Sequence, residues 1–364
     1  MILGEIDFTR NAHSRIHFAE DALAEIGTLF GWDNLSGCAL VADSTVFDLH
    51  GPKLLDSLKK EFPEATLIRV PPGEEEKNLV NVGRILDQLA ATNLDRKAVV
   101  FALGGGVLLD MAGFAAASHL RGVSWVSLPT TLLAQVDAGI GGKTGVNSSA
   151  GKNLIGAFHP PTDVYIDPDV LQTLPNEEWR NGLAELVKHA WIADAGLFKM
   201  LEENASILSE GPGDNTAALI QRGVSIKVEV VAEDPFEEGR RAILNAGHTI
   251  GHAIESASGH NIKHGFAVAA GLLVEAAIAT RTVGLADSDS DRLQGLLASL
   301  RLIPETTHLT FEELLPYLKS DKKNVAGDVR FALPRKLGAM SQNGNEWTHS
   351  VNVESIQRVW EELR

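Results

Sequence analysis

The chain has 364 residues, 44% hydrophobic and 22% charged, which suits two or three folded domains at about 150 residues each and does not indicate disorder. Its 32 Lys and Arg against 48 Asp and Glu leave a net charge of −16, which argues against broad engagement of nucleic-acid phosphates or anionic lipid. A small anionic substrate in a locally basic cleft stays compatible with that balance.

The opening MILGEIDFTRNAHSR lacks a basic patch followed by an apolar segment and a small-residue cleavage site, and no apolar run reaches about 18 uninterrupted residues. With Cys38 as the only cysteine, an internal disulfide is impossible, and its place in CALVA reads as a buried thiol in a reducing, cytoplasmic setting. HFAEDALAEIGTLFG, from 17 to 31, spaces its apolar residues as a helix does. CALVADS then reads as a strand, Asp48 to Lys59 as a helix, ATLIRV as a short strand and LVNVGRILDQLAATNLD as a second helix. KAVVFAL, from Lys97 to Leu103, has the unbroken apolar pattern of a strand buried on both faces, and it runs into Gly104, Gly105 and Gly106 before a helix through Met111 and Phe114. SWVSLPTT and TDVYIDP supply two further strands. The alternation predicts a Rossmann-like α/β domain, a mostly parallel sheet with helices on its faces.

Beyond about residue 171 the pattern turns helical, in the long amphipathic stretches 176–205, 214–234, 242–257 and 265–282. A boundary between 168 and 175 divides the chain into an α/β domain, 1–170, and a mostly α-helical domain, 171–364.

The strand-to-glycine-to-helix junction lets backbone N–H groups approach a pyrophosphate at a helix terminus, although the spacing is not the usual Gly-x-Gly-x-x-Gly. DAGIGGKTGVNSSAGKN reads as a glycine-rich loop. It fails the P-loop pattern, because Asp137 stands where that pattern needs glycine, yet Lys143, Lys152 and Asn153 offer donors suited to phosphate and carboxylate groups. In NAGHTIGHAIE, His248 and His252 share one helix face and Glu255 returns near it, while His264 follows in IKHGF. Two imidazoles and a carboxylate suit zinc with an open position. Glu185 is the attractive third ligand, and spacing alone leaves open whether it pairs with His189 or with the distant histidines.

These tracts arrive in an order that closely resembles the 3-dehydroquinate synthases within the sugar-phosphate cyclase family. GEEEK at 73–77, GGGVLLDMAGF at 104–114, PTTLLAQVDAGIGGKTGVN at 129–147, GKNLIGAFHP at 151–160, RRAILNAGHTIGHAIE, HGFAVAAG and SDKKNVAGDVRFALP carry the resemblance over nearly the whole chain. The resemblance implies an NAD- and divalent-metal-dependent, phosphate-eliminating lyase of the shikimate pathway, with zinc or cobalt as the ion and a homodimer as the assembly. Its implied reaction turns 3-deoxy-D-arabino-heptulosonate 7-phosphate into 3-dehydroquinate and phosphate by transient oxidation, β-elimination, reduction, ring opening and aldol closure. Metal ligation falls to Glu185, His248 and His264, and proton handling to His252. NAD binding falls to Asp43, Glu74, Lys77, Gly105, Gly106, Val107, Asp110, Thr130, Thr131, Leu133, Asp137, Lys143, Lys152, Thr173 and Leu174. Substrate binding falls to Arg121, Asp137, Lys143, Asn153, Lys188, Lys227, Arg241, Asn245, His252, Lys322 and Lys323, in a site expected between the domains.

Several positions depart from the family pattern. Leu109 stands where a glycine is frequent, Ala138 and Gly139 interrupt a VDSS tract, HPP at 159–161 replaces YQP, and Phe266 replaces the glutamate of HGEAV. A cyclase for another seven-carbon sugar phosphate is the nearest alternative. A net-NADH-producing polyol dehydrogenase and a non-catalytic nucleotide-regulated binding protein are more distant ones.

Overall fold

The computed structural model describes residues 13–149, 151–306, 308–320 and 328–363. The chain groups into two compact units, one up to Pro129 plus Gly142–Asp167, the other Thr130–Gly141 plus the residues from Pro168 onward. The segment 130–141, assigned by the linear reading to the first domain, therefore belongs with the second. Its packing explains this: a Cβ on Gly182 of the second unit would lie 2.6 Å from the Leu132 Cβ and from the Leu133 backbone nitrogen.

The first unit is built on β1 (Arg15–Phe18), β2 (Cys38–Asp43), β3 (Thr66–Val70), β4 (Val99–Gly104), β5 (Ser124–Pro129), β6 (Lys143–Ser148), β7 (Gly151–Phe158) and β8 (Asp163–Ile166). Six of these form a sheet in the order β1-β8-β5-β4-β2-β3, every neighbouring pair parallel. The strand order reverses between β2 and β4, and ligands bind such sheets beyond the carboxyl ends of the strands at that crevice. Asp43 ends β2 and Gly104 ends β4. The apolar run of β4 is fully buried, as its continuous sequence requires of a central strand.

Two expectations fail in this unit. The helix over 17–31 shrinks to α1 (Ile26–Leu29), because Arg15 to Phe18 is captured as an edge strand. Arg15 Nε donates to Asp163 Oδ1 at 2.8 Å, His17 Nε2 meets the same oxygen at 2.8 Å, and the His17 ring stacks on Tyr165 with centroids 4.3 Å apart. The glycine-rich loop is instead an antiparallel hairpin of β6 and β7. The remaining helices, α2 (Ser44–Glu61), α3 (Leu79–Ala91) and α4 (Gly106–Ser118), follow β2, the β3 connection and β4 as the alternation predicts.

The second unit contains α5 (Asn176–Ala193), α6 (Ala195–Leu208), α7 (Thr216–Glu233), α8 (His248–Ala257), α9 (His264–Thr282), α10 (Asp287–Ser299), α11 (Phe311–Ser320) and α12 (Val353–Glu362). Two small antiparallel pairs interrupt the helical pattern: β9 (Val329–Phe331) with β12 (His349–Val351), and β10 (Pro334–Lys336) with β11 (Ala339–Met340). Helix α9 is long and apolar enough for a membrane span, yet it is mostly buried against α8, α5 and α10, so its composition serves a core. The contact of α8 with α9 depends on absent side chains, since a Cβ on Gly271 would come within 2.0 Å of the Gly247 carbonyl.

Candidate active site

In the second unit, Glu185 projects from α5, His248 opens α8 and His264 opens α9. The Glu185 Oε1 atom lies 3.6 Å from His248 Nε2 and 3.4 Å from His264 Nε2, so two imidazoles converge on one fully buried carboxylate oxygen. The remaining ring nitrogens are engaged elsewhere: His248 Nδ1 lies 3.1 Å from the Ala246 carbonyl and His264 Nδ1 lies 3.1 Å from Glu255 Oε2. Each ring therefore carries its proton on Nδ1 when neutral and turns a lone pair at Nε2 toward Glu185, the arrangement of metal-ligating histidines. All three ligand atoms fall within 4.8 Å of one another, with Glu185 Oε1 facing both imidazoles. A divalent ion fits this donor set and would satisfy the buried carboxylate.

The backbone at both imidazoles is held by distant side chains. Gly247, left-handed at φ 78°, precedes His248, and its N–H donates to Glu275 Oε2 at 2.6 Å. The Gly265 N–H donates to Asn181 Oδ1 at 2.7 Å, fixing the turn at His264. Burial opposes ionisation of Glu185, but the Lys188 ammonium in contact with it outweighs that cost and holds the carboxyl well below its usual range. For His248, burial and then the nearby Lys188 charge push the imidazole well below its ordinary value. Burial works the other way from the carboxylates at His264, where hydrogen bonds to Glu185 and Glu255 win and push the group up to about 10. Glu185, held ionised, supplies the negative charge at the point where the three donors meet.

Beside these groups, Asp137 sits in the π-helical turn Ala134–Ala138. Lys227 Nζ donates to its Oδ1 at 2.6 Å, with Lys188 Nζ at 3.8 Å and His189 Nε2 at 3.7 Å. Burial resists the Asp137 charge, but Lys227 and Lys188 hold it well below the ordinary carboxylate range. Asp137, Glu185 and His189 also form a possible ligand group, but the two ammoniums already supply its positive charge. His189 Nε2 faces Asp137, and its group with Glu185 includes neither His248 nor His264. His252 is exposed, its ring centroid 5.3 Å from that of His248 and 5.9 Å from that of His264. Arg241 is buried and donates to the Pro235 and Gly141 carbonyls. Asn245 Nδ2 donates to Glu237 Oε1 at 2.6 Å.

In the first unit, Lys77 Nζ is 2.6 Å from Asp110 Oδ2 and donates to Asn153 Oδ1 at 2.6 Å. Asn147 extends the set, accepting the Asn153 N–H at 3.0 Å and donating to Glu74 Oε1 at 2.7 Å. Glu74, Lys77, Asp110 and Asn153 thus come together around the start of α4. Gly105 caps that helix without any side-chain hydrogen bond, leaving the Gly106 and Val107 end of α4 bare for an anion. Asp43 caps α2 through Oδ1, accepting the N–H groups of Thr45 and Val46. Arg121 is exposed with a left-handed φ of 67°, Lys143 is exposed and Lys152 is half-buried.

In the second unit, Thr131 Oγ1 accepts the Ala134 N–H at 3.1 Å, Thr130 is buried, and Leu133 immediately precedes the π-helical turn. Thr173 donates to the Val170 carbonyl at 3.0 Å, and the Leu174 N–H donates to the Leu171 carbonyl at 3.1 Å. Lys322 and Lys323 lie outside the described residues. Sequence reasoning missed Asn181, Glu237 and Glu275 and gave Glu255 no role. The available signal for Glu275 was a lone acid inside the apolar run of α9, and for Asn181 its position one turn before Glu185.

The chain matches the family described as 3-dehydroquinate synthase N-terminal over residues 67–181 and the one described as 3-dehydroquinate synthase C-terminal over 182–324. The chain belongs to the 3-dehydroquinate synthase family. A 3-dehydroquinate synthase from Synechocystis is 45% identical over 309 residues, 83% of this chain and 85% of that protein. One from Bordetella pertussis is 42% identical, covering 82% of this chain and 84% of that protein. Among solved structures, 2-epi-5-epi-valiolone synthase from Streptomyces hygroscopicus, with NAD+ and Zn2+ bound, superposes with a TM-score of 0.87 at 29% identity over 99% of both chains. A 2-deoxy-scyllo-inosose synthase complexed with carbaglucose-6-phosphate, NAD+ and Co2+ gives 0.86 at 28% identity over 95% of this chain and 96% of that one. The Rossmann-like sheet and helical second part are those of the wider cyclase fold, to which the 3-dehydroquinate synthases belong.

Proposed function

We propose that this chain catalyses the 3-dehydroquinate synthase reaction, converting 3-deoxy-D-arabino-heptulosonate 7-phosphate into 3-dehydroquinate and phosphate with NAD and one zinc or cobalt ion per subunit. The observation that carries the reading is the convergence of His248 and His264 on the buried Glu185 oxygen, in a chain of this family. When bound, NAD supplies a reversible hydride acceptor and the ion a Lewis acid, the two functions required for transient oxidation, phosphate β-elimination, reduction, ring opening and aldol closure.

The chain's own residues divide the remaining work. Glu185, His248 and His264 hold the ion. Asp43, Glu74, Lys77 and the residues Gly105, Gly106, Val107 and Asp110 receive the dinucleotide, with Thr130, Thr131, Leu133, Lys152, Thr173 and Leu174 in the same assignment. Lys188, Lys227 and Arg241 are buried cations that lower the cost of bringing a dianionic substrate out of water. Asp137, kept ionised by its lysines, accepts hydrogen bonds from substrate hydroxyls, and Asn245 offers an amide to the same groups. His252, at an exposed position beside the other two imidazoles, exchanges protons with substrate and solvent. Arg121, Lys143 and Asn153 belong to the same substrate assignment by family pattern. A homodimer and a cytoplasmic location complete the reading, the latter in keeping with Cys38, whose burial pushes the thiol up to about 12 and keeps it unreactive.

The test is incubation of metal-supplemented protein with the heptulosonate phosphate, with and without NAD, and identification of the product by mass and NMR. NAD-dependent release of phosphate together with 3-dehydroquinate is expected. Phosphate release only from a different seven-carbon sugar phosphate would move the assignment to another cyclase, and binding without turnover would end the enzymatic reading.

A further inference from the structure

Two sets of donors compete for His264. Through Nε2 the ring faces Glu185 at 3.4 Å, and through Nδ1 it faces Glu255 at 3.1 Å. His252, Glu255 and His264 also form an alternative group, in which Glu255 would be a ligand itself. Glu185 and Glu255 thus face opposite nitrogens of one imidazole. Glu255 therefore either binds the ion or holds the proton that leaves Nε2 free for it.

The surroundings separate these roles. Glu255 is buried in the last turn of α8, whereas His252 is exposed, so the alternative group would set the ion at the rim of the pocket. His248 provides the internal comparison: its Nδ1 is met by the Ala246 carbonyl at 3.1 Å, a group that only accepts a proton, and its Nε2 faces Glu185. Glu255 stands to His264 as the Ala246 carbonyl stands to His248. We infer that Glu255 is a positioning residue, accepting a hydrogen bond from His264 Nδ1–H and thereby fixing the tautomer and ring orientation that present Nε2 beside Glu185 and His248. Such outer partners typically carry about 10–100-fold in metal affinity. The inference rests on the metal assignment proposed above and adds to it the residue that orients one ligand.

The experiment measures zinc affinity by chelator competition, and the absorption of the cobalt-substituted protein, for wild type, E255A, E255Q, E185Q and H252A. Thermal midpoints of the metal-free proteins are recorded alongside. E255A is expected to bind zinc about 10–100-fold more weakly with an altered cobalt spectrum. E255Q keeps an amide oxygen for the Nδ1 proton and is expected closer to wild type, a rescue that ligand loss would not allow. Wild-type zinc affinity and cobalt spectrum in E255A, with E185Q impaired, would overturn the positioning role while leaving the metal assignment standing. Loss of metal in E255A, E255Q and H252A, with E185Q unaffected, would overturn both by making Glu255 a ligand. Should E255A fail to fold, E255Q decides: a weakening as large as that of E185Q rejects the positioning role.

Discussion

At the scale of single residues, the site is a set of buried charges that make sense only together. Glu185 has two imidazoles and an ammonium around it, and its removal takes away the oxygen on which both rings converge. E185A and H264A should each lose metal affinity by more than about 100-fold, beyond what an outer partner carries, with turnover falling in parallel. Metal content after dialysis checks this, and full stoichiometric binding in both variants would refute the ligand assignment. Lys227 is a counter-charge to Asp137, so K227M leaves a buried carboxylate less compensated and should cost about 3 kcal/mol, read as a lower urea midpoint. The ligand types were legible in the sequence because His248 and His252 share a helix face and Glu185 lies in an otherwise apolar turn. Their partners were not. The contacts His264–Glu255, Gly265–Asn181 and Gly247–Glu275 span 9, 84 and 28 residues, and no local spacing encodes which way an imidazole turns.

Elements were readable where one local pattern and the tertiary environment agree. The β4 run, its glycines and α4 satisfy strand, turn and helix preferences in succession, so this junction was visible at once. The segment 15–31 shows the opposite case, since its helical spacing loses to parallel pairing with β8 and to the Asp163 contacts. Burial resists ionisation of Asp163, but Arg15 and His17 hold its carboxyl below the ordinary value. A depressed native value contributes stability above the unfolded carboxyl pKa of about 4, and that contribution fades as pH falls through the native value. D163N should therefore cost about 1–2 kcal/mol near neutrality, discounted because Arg15 is half exposed, and thermal midpoints of wild type and variant should converge in acid. A gap that widens in acid would contradict this. The β6–β7 hairpin escaped detection because its glycines, lysines and asparagines carry turn and loop preferences. At the α8–α9 contact, G271A adds a methyl 2.0 Å from the Gly247 carbonyl and should cost at least about 1–3 kcal/mol. Because Gly247 precedes His248, zinc affinity should fall with the midpoint, and an unchanged affinity would mean that the two helix starts are positioned independently.

For the whole molecule, the net charge of −16 describes the outer surface and not the site. Lys77, Lys188, Lys227 and Arg241 are all buried, so the cations suited to an anionic cofactor and substrate are those that composition hides. Each compact unit holds a share of the residues nominated from the sequence: the Lys77–Asp110–Asn153 set in the first, and the Glu185, Asp137 and histidine groups in the second. A linear boundary near 171 could not reveal that 130–141, with Asp137, groups with the later residues, because that affiliation is a matter of packing against α5. K143A should raise the KM for the sugar phosphate, and K152A the KM for NAD, each by about 10-fold or more, the loss of a charge-assisted contact, with zinc affinity unchanged. Unaltered saturation kinetics in both variants would remove these lysines from the substrate- and dinucleotide-binding sets.

The most direct test of the central claim is a turnover experiment with NAD well below the concentration of the heptulosonate phosphate, following phosphate release and NADH absorbance together. The account predicts many equivalents of phosphate and 3-dehydroquinate per NAD with no build-up of NADH, because the oxidation is reversed within each cycle. Phosphate release that stops after one equivalent of NAD, or NADH accumulating in step with product, would contradict it.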